Sequence, residues 1–238
     1  RRELVGAEVF GLTGVLLVVV IAFSLATPRF LTSENFGSIA FQLPELGLLT
    51  LAMLIPIISG GLNLAIIFTA NMAGLTLAWI LNVNGGVDAG IGAFVLGTAA
   101  ALAVGAAAGF VMGIVIAYTG AHPILVSLSM MIFLRGLGEF LTRGGDISGF
   151  PDFLKPVGHG LVLGIPVPLV LFAVAAFVWH IMLSRTRHGF AVFMIGSNIE
   201  AARYSGIHVR RTLVLIYTLS GVMAALAELA PKIPRGIV

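Results

Sequence analysis

Residues 46–87, and again 89–134, contain no Asp, Glu, Lys or Arg. A water-soluble fold cannot keep two such runs away from solvent, so these stretches belong in lipid. The rest of the chain agrees: 10% of residues are charged and 59% hydrophobic, with a mean hydropathy of +1.11. A soluble domain has roughly 25% charged and 45–50% apolar residues. A formal charge of +3 is too small, and too strongly partitioned along the chain, to suggest a nucleic-acid partner. With no cysteine there is no disulfide framework and no thiolate chemistry.

Cut into lengths of about 20 residues, the apolar runs predict spans near residues 9–26, 39–58, 62–81, 91–118, 123–141, 160–183 and 212–230. The expected fold is therefore all-α, a single polytopic helical membrane domain over 1–238 with about seven spans. Arg1-Arg2, the following apolar run and Ser24-Leu25-Ala26 have the outline of a signal peptide. The run from Val9 to Ala26 exceeds the 7–15 residues of a signal core, however, and suits a first span better. Pro44, Pro56, Gly60-Gly61 and His122-Pro123 interrupt the pattern. Breaks at membrane depth are tolerated only where protein or water satisfies the freed backbone groups, so broken or re-entrant segments are expected.

Cationic residues set the orientation. The loop 184–211 carries Arg185, Arg187, Arg203, Arg210 and Arg211 against one acid, Glu200, which places it in the cytoplasm. Six spans separate it from Arg1-Arg2, and an even number returns the chain to the same side, so the N-terminus is expected inside. Segment 142–159 then faces outward, with Arg143 and Lys155 balanced by Asp146 and Asp152. Lys232 and Arg235 fall outside as well, which points to a truncated or altered C-terminus or to a miscounted last span.

The fourth span places Gly97, Ala101, Gly105, Gly109 and Gly113 at intervals of four. Such residues share a helix face and permit close approach of a neighbouring backbone. In the basic loop, Glu200-Ala201-Ala202 precedes Gly206 by three further residues. A short helix is expected over 199–205, with Asn198 as N-cap and Gly206 as left-handed terminator. Ala201 and Ala202 are small enough to let it sit in a partner's groove, and Glu200 and Arg203 lie on one side of it.

The spacing of Glu200, Ala201, Ala202 and Gly206 resembles the EAA signature of permeases in ATP-binding-cassette importers. More of the chain, from about Leu43 to Ala227, is similar to the permease family of ribose-type sugar importers. Ser59-Gly-Gly-Leu-Asn-Leu64 resembles its Gly-Gly-Ile-Asp-Leu stretch, and Leu134-Arg135-Gly136 with Leu141-Thr142-Arg143-Gly144-Gly145 its fifth-span block. The closest match is Ser184-Arg-Thr-Arg-His-Gly189 followed by residues 196–207. The resemblance implies about ten spans in a bacterial cytoplasmic membrane. It also implies a homodimer, two cytoplasmic ATPases that bind the ATP and Mg, and an external solute-binding protein. On that basis 184–211 is the coupling loop, and this chain holds no cofactor of its own.

Where the family has an acid, this chain has Asn63, and the next turns read Ile66-Ile-Phe-Thr-Ala-Asn71 in place of the usual serine-valine-glycine run. Asn63, Thr69 and Asn71 can donate and accept hydrogen bonds, which suits a neutral polyhydroxylated solute as well as plain helix bridging. Glu45 is a further pathway candidate, or an interfacial acid. Arg135 and Glu139 are spaced as a helix-face pair, and His180 as an interfacial residue. Neither Lys155 nor Lys232 follows a glycine, so no phosphate-binding loop is present in this sequence and ATP hydrolysis must come from a partner. Alternatives are an ion-coupled secondary transporter or channel, a membrane-embedded enzyme or scaffold, and branched-chain amino acids or nucleosides as the solute.

Overall fold

A computed structural model describes residues 2–27, 30–145, 151, 160–162 and 165–229. Arg1, Asp146, Asp152, Lys155, Lys232 and Arg235, on which the expected charge balance of the ends and outer loop depends, lie outside the described residues. The chain divides into two compact units, 1–42 and 43–238.

The first unit holds helix α1 (Arg2–Ala26) and the start of α2 (Ser33–Ile58). Leu12, Val15, Leu16, Val18 and Leu25 of α1 are all more than half exposed, on every side of the helix. An apolar helix exposed all round has lipid as its natural solvent. The turn into α2 is tied by Asn35, whose Nδ2 donates to Phe30 O at 2.7 Å and whose N–H donates to Thr32 Oγ1 at 3.4 Å.

The second unit continues α2 and adds α3 (Ile66–Val83), α4 (Ile91–Thr119), α5 (Pro123–Thr142), α6 (Val167–Arg185), α7 (Arg187–Ser197), α8 (Ile199–Tyr204) and α9 (Val209–Leu229). Helices α2, α3, α4, α5, α6 and α9 are long and apolar enough to cross a membrane; in α1 the described apolar stretch is Gly11–Ala26. Two differences from the expected spans have local causes. The third begins at Ile66, not 62, because Asn63 Oδ1 accepts the Ala65 N–H at 3.0 Å and holds the chain in a turn. The sixth begins at Val167, because Leu161–Val162 pairs with Ile165–Pro166 as a minimal antiparallel hairpin and Pro166 and Pro168 then fix the first helical turn.

The core of this unit is α4 packed on α9, with α3 against both. Gly105, Gly109 and Gly113 face α9: a Cβ at Gly109 would strike Tyr217 O, and one at Gly113 would lie 2.7 Å from Val214 Cα. Gly221 of α9 returns the contact, with no room for a Cβ beside Gly105 O. Gly97 turns to Leu77 of α3, while Ala101 is buried with Ala73 and Ala225. Between helices in lipid, backbone contact of this kind replaces the hydrophobic drive available in water.

Candidate functional site

Three connections meet at one end of the second unit: the break between α2 and α3, the turn before Pro123, and the segment from Arg185 to Val209. A Cβ at Gly61 would meet the Tyr217 hydroxyl and lie 3.4 Å from Pro123, while one at Gly196 would strike Ile58 O. Arg185, Arg187, Arg203, Arg210 and Arg211 gather at this end, and Arg210 lies over the Tyr118 ring at 5.4 Å.

The break is built from its prolines and glycines. Pro56 has no N–H, so Ala52 O loses its partner inside α2. Ser220 of α9 supplies the missing donor, its Oγ lying 2.7 Å from Ala52 O. Ser220 Oγ in turn accepts from Asn63 Nδ2 at 2.9 Å, and Asn63 Oδ1 accepts the Ala65 N–H. Helix α2 then ends in a Schellman motif: Gly60, at φ +84°, donates to Ile57 O at 3.0 Å, and Gly61 donates to Pro56 O at 2.8 Å. Asn63 and Ser220 are fully buried. Ser220→Ala would strand both the Ala52 carbonyl and the Asn63 amide. We expect it to cost about 1–2 kcal/mol, measured as a lower midpoint of thermal unfolding in detergent.

Not every polar candidate joins this cluster. Thr69 is buried on α3 with its hydroxyl unpartnered, as is the Tyr217 hydroxyl against Gly61. Asn71, two residues beyond Thr69, is exposed on the far side of the same helix. Glu45 is half-buried one residue past Pro44, thirteen helical residues or about 20 Å from Ile58. Arg135 Nε and Glu139 Oε1 pair at 2.9 Å with both side chains about two-thirds exposed, an arrangement worth little to stability. His180 is exposed on α6.

The basic segment is a chain of two capped helices. Thr186 Oγ1 accepts the Gly189 N–H at 3.3 Å and opens α7, a helix the sequence pattern left unassigned. Asn198 closes α7 by donating its N–H to Met194 O at 3.0 Å. Its Oδ1 opens α8 by accepting from Glu200 N and Ala201 N, each at 3.0 Å. A second Schellman motif ends α8, with Gly206 at φ +79° donating to Arg203 O and Ile207 to Ala202 O, both at 3.1 Å. Arg203 Nη1 and Glu200 Oε1 pair at 3.1 Å on the open side. Ala202 is fully buried against Ile195 and Val209. It anchors the knob to its own chain, and of the two alanines expected in a partner's groove only Ala201 faces outward.

Ser220, Tyr217 and Gly196 were not singled out in the sequence. The available signal was Pro56, which announces a carbonyl in need of a donor but not which donor answers.

Six apolar spans among the described residues, packed through backbone-tight helix contacts, define a multi-pass membrane protein with a capped polar knob at its basic end. The sequence pattern of the family described as branched-chain amino acid transport system / permease component matches residues 35–228, and the chain belongs to that family. It is 31% identical over 229 residues to the autoinducer 2 import system permease protein LsrD of Photorhabdus temperata, covering 92% of this chain and 66% of the relative. It is likewise 31% identical over 216 residues to the ribose import permease protein RbsC of Escherichia coli K12, covering 89% of this chain and 65% of the relative. The chain thus spans slightly less than two thirds of the length of these relatives. No solved structure matches it.

Proposed function

We propose that the chain is the membrane-spanning permease part of an ATP-driven importer for a sugar or sugar-like solute in a bacterial cytoplasmic membrane. The N-terminus and the basic end lie inside. Its companions are a cytoplasmic ATPase that binds ATP and Mg, an external solute-binding protein, and a second copy of the chain. The observation that carries this is the exposed α8 knob, capped at both ends and set among five arginines. A motor subunit needs a short, locally rigid projection to push against, and family membership supplies the context.

Neutral chemistry favours a sugar over a free amino acid. The buried polar side chains among the described residues are Ser59, Asn63, Thr69, Ser127 and Ser220, all uncharged. Of these only Thr69 has a hydroxyl without a partner, able to meet a solute hydroxyl as donor or acceptor, and none of the five offers a counter-charge to an ammonium or carboxylate. That one relative is named for ribose supports the same choice.

Glu200→Arg reverses the outward charge of α8 without touching the buried Ala202. We expect unchanged membrane insertion and at least a tenfold fall in ATP-driven uptake, about 1.4 kcal/mol of lost coupling, measured with labelled ribose in membrane vesicles. Uptake that proceeds with no nucleotide-hydrolysing partner present, and collapses with an uncoupler, would overturn the proposal in favour of an ion-coupled carrier.

A further inference from the structure

The knob and the break are joined by one tight contact. Helix α7 runs from Arg187 to Ser197 and buries Gly189, Val192 and Ile195, while Gly196, itself exposed, comes up against the end of α2. Gly189 and Gly196 are seven residues apart, two turns, and therefore lie on the same side of the helix. Each is pressed against a carbonyl of a different span: a Cβ at Gly189 would strike Leu183 O of α6, and one at Gly196 would strike Ile58 O of α2 and approach Ser59 Cα to 3.2 Å. Val192 and Ile195, 3% and 4% exposed, fill the space between.

Helix α7 is thus held at both ends, and its outer end is continuous with the knob. Asn198 is shared between the helices, closing α7 through its N–H and opening α8 through its side chain. A displacement of α8 has no slack loop in which to dissipate before it reaches Gly196. Beyond the contact, Ile58 and Ser59 lead into Gly60, the left-handed hinge residue of the α2 terminus, and then to Gly61 and Asn63. That stretch is fastened to α9 by the Asn63 to Ser220 hydrogen bond, and the Tyr217 hydroxyl is lodged against Gly61 without a partner.

The geometry points to Gly196 as the relay residue of transport, the point at which motion of the α8 knob is handed to the Gly60-Gly61 break between α2 and α3. It acts through Ile58 and touches no solute, so it is a positioning residue. The inference rests on the coupling role proposed above for α8 and adds the path by which that role reaches the membrane.

Because the chain has no cysteine, single reporters can be placed cleanly. Tyr204→Cys, at an 88% exposed position on α8, reports contact with the ATPase; Leu62→Cys, in the half-buried break, reports the hinge. Labelling by a membrane-impermeant maleimide is compared in the assembled complex without nucleotide and after trapping with ATP and vanadate. With Gly196 intact, both reporters change rate on trapping. With Gly196→Ala, the Tyr204→Cys response persists, while the Leu62→Cys response falls about tenfold, within the roughly 5–150-fold range over which coupled sites act on each other. Where Gly196→Ala does not reach the membrane, Gly60→Ala strains the hinge from the other side, at a position with open space around it, and is expected to give the same split. A Leu62→Cys response that survives in these backgrounds overturns the relay and leaves the coupling role of α8 standing. Failure of Tyr204→Cys to respond with Gly196 intact removes the drive itself, and overturns both.

Discussion

Gly109→Leu is expected to eliminate the folded protein, with full-length chain disappearing from the membrane fraction and uptake falling to background. At Gly109 the backbones of α4 and α9 touch: a Cβ there would strike Tyr217 O and lie 2.9 Å from Thr218 Cα. Those atoms belong to main chain, so no rotamer change makes room, and the two helices must separate. The separation is felt along the whole seam, since Gly105, Gly113 and Gly221 sit at the same closeness. Overpacking costs typically 1–3 kcal/mol and more when backbone must move, and in lipid no hydrophobic force draws displaced helices together again. Gly92→Leu is the control. It lies on the same helix with open space around it, and is expected to leave abundance within about 0.5 kcal/mol of the parent, as surface changes do. Equal abundance of the two variants would mean that the α4 to α9 seam is not what holds this unit together.

The seam and the knob were legible because each depends on local sequence. A stripe at intervals of four declares a helix face whatever lies opposite, and an Asn eight residues before Gly206 declares a short capped helix. The charge-free runs fixed the spans for an equally local reason. What the sequence could not display was pairing across distance. Ser220 answers Pro56 through Ala52 O from 168 positions away, and nothing near Ser220 distinguishes it from other small polar residues in spans.

Register was the second obstacle. Asn63, Thr69 and Asn71 look like one polar group when the third span is taken to begin at 62. With the helix starting at Ile66, Asn63 falls in the turn before it, and Thr69 and Asn71, two residues or about 200° apart, face inward and outward respectively. A single step of about 100° separates buried Ala202 from exposed Ala201. Helix α7 escaped notice because it carries two glycines that look like loop residues until their contacts with Leu183 O and Ile58 O are known.

Asn198→Ala is expected to reduce ATP-driven uptake severely while leaving the spans intact. Helix α8 has six residues, far below the length at which an isolated helix holds itself together, so its order depends on its ends. Asn198 Oδ1 satisfies two of its first N–H groups, and removing such a cap costs about 1 kcal/mol, up to about 2. For an element this short that is a factor of roughly 5–30 in the ordered population. Gly206→Val attacks the other end, forcing a β-branched residue to φ +79°, where L-residues pay about 1–2 kcal/mol. Asn198→Asp keeps an acceptor at the same place and should restore most uptake, which separates loss of the cap from loss of an amide that some partner reads. Each variant is compared with the parent for membrane abundance and for solute moved per ATP hydrolysed. A knob that transmits force gives normal abundance with a low ratio; full uptake from both Asn198→Ala and Gly206→Val would show that an ordered α8 is not required.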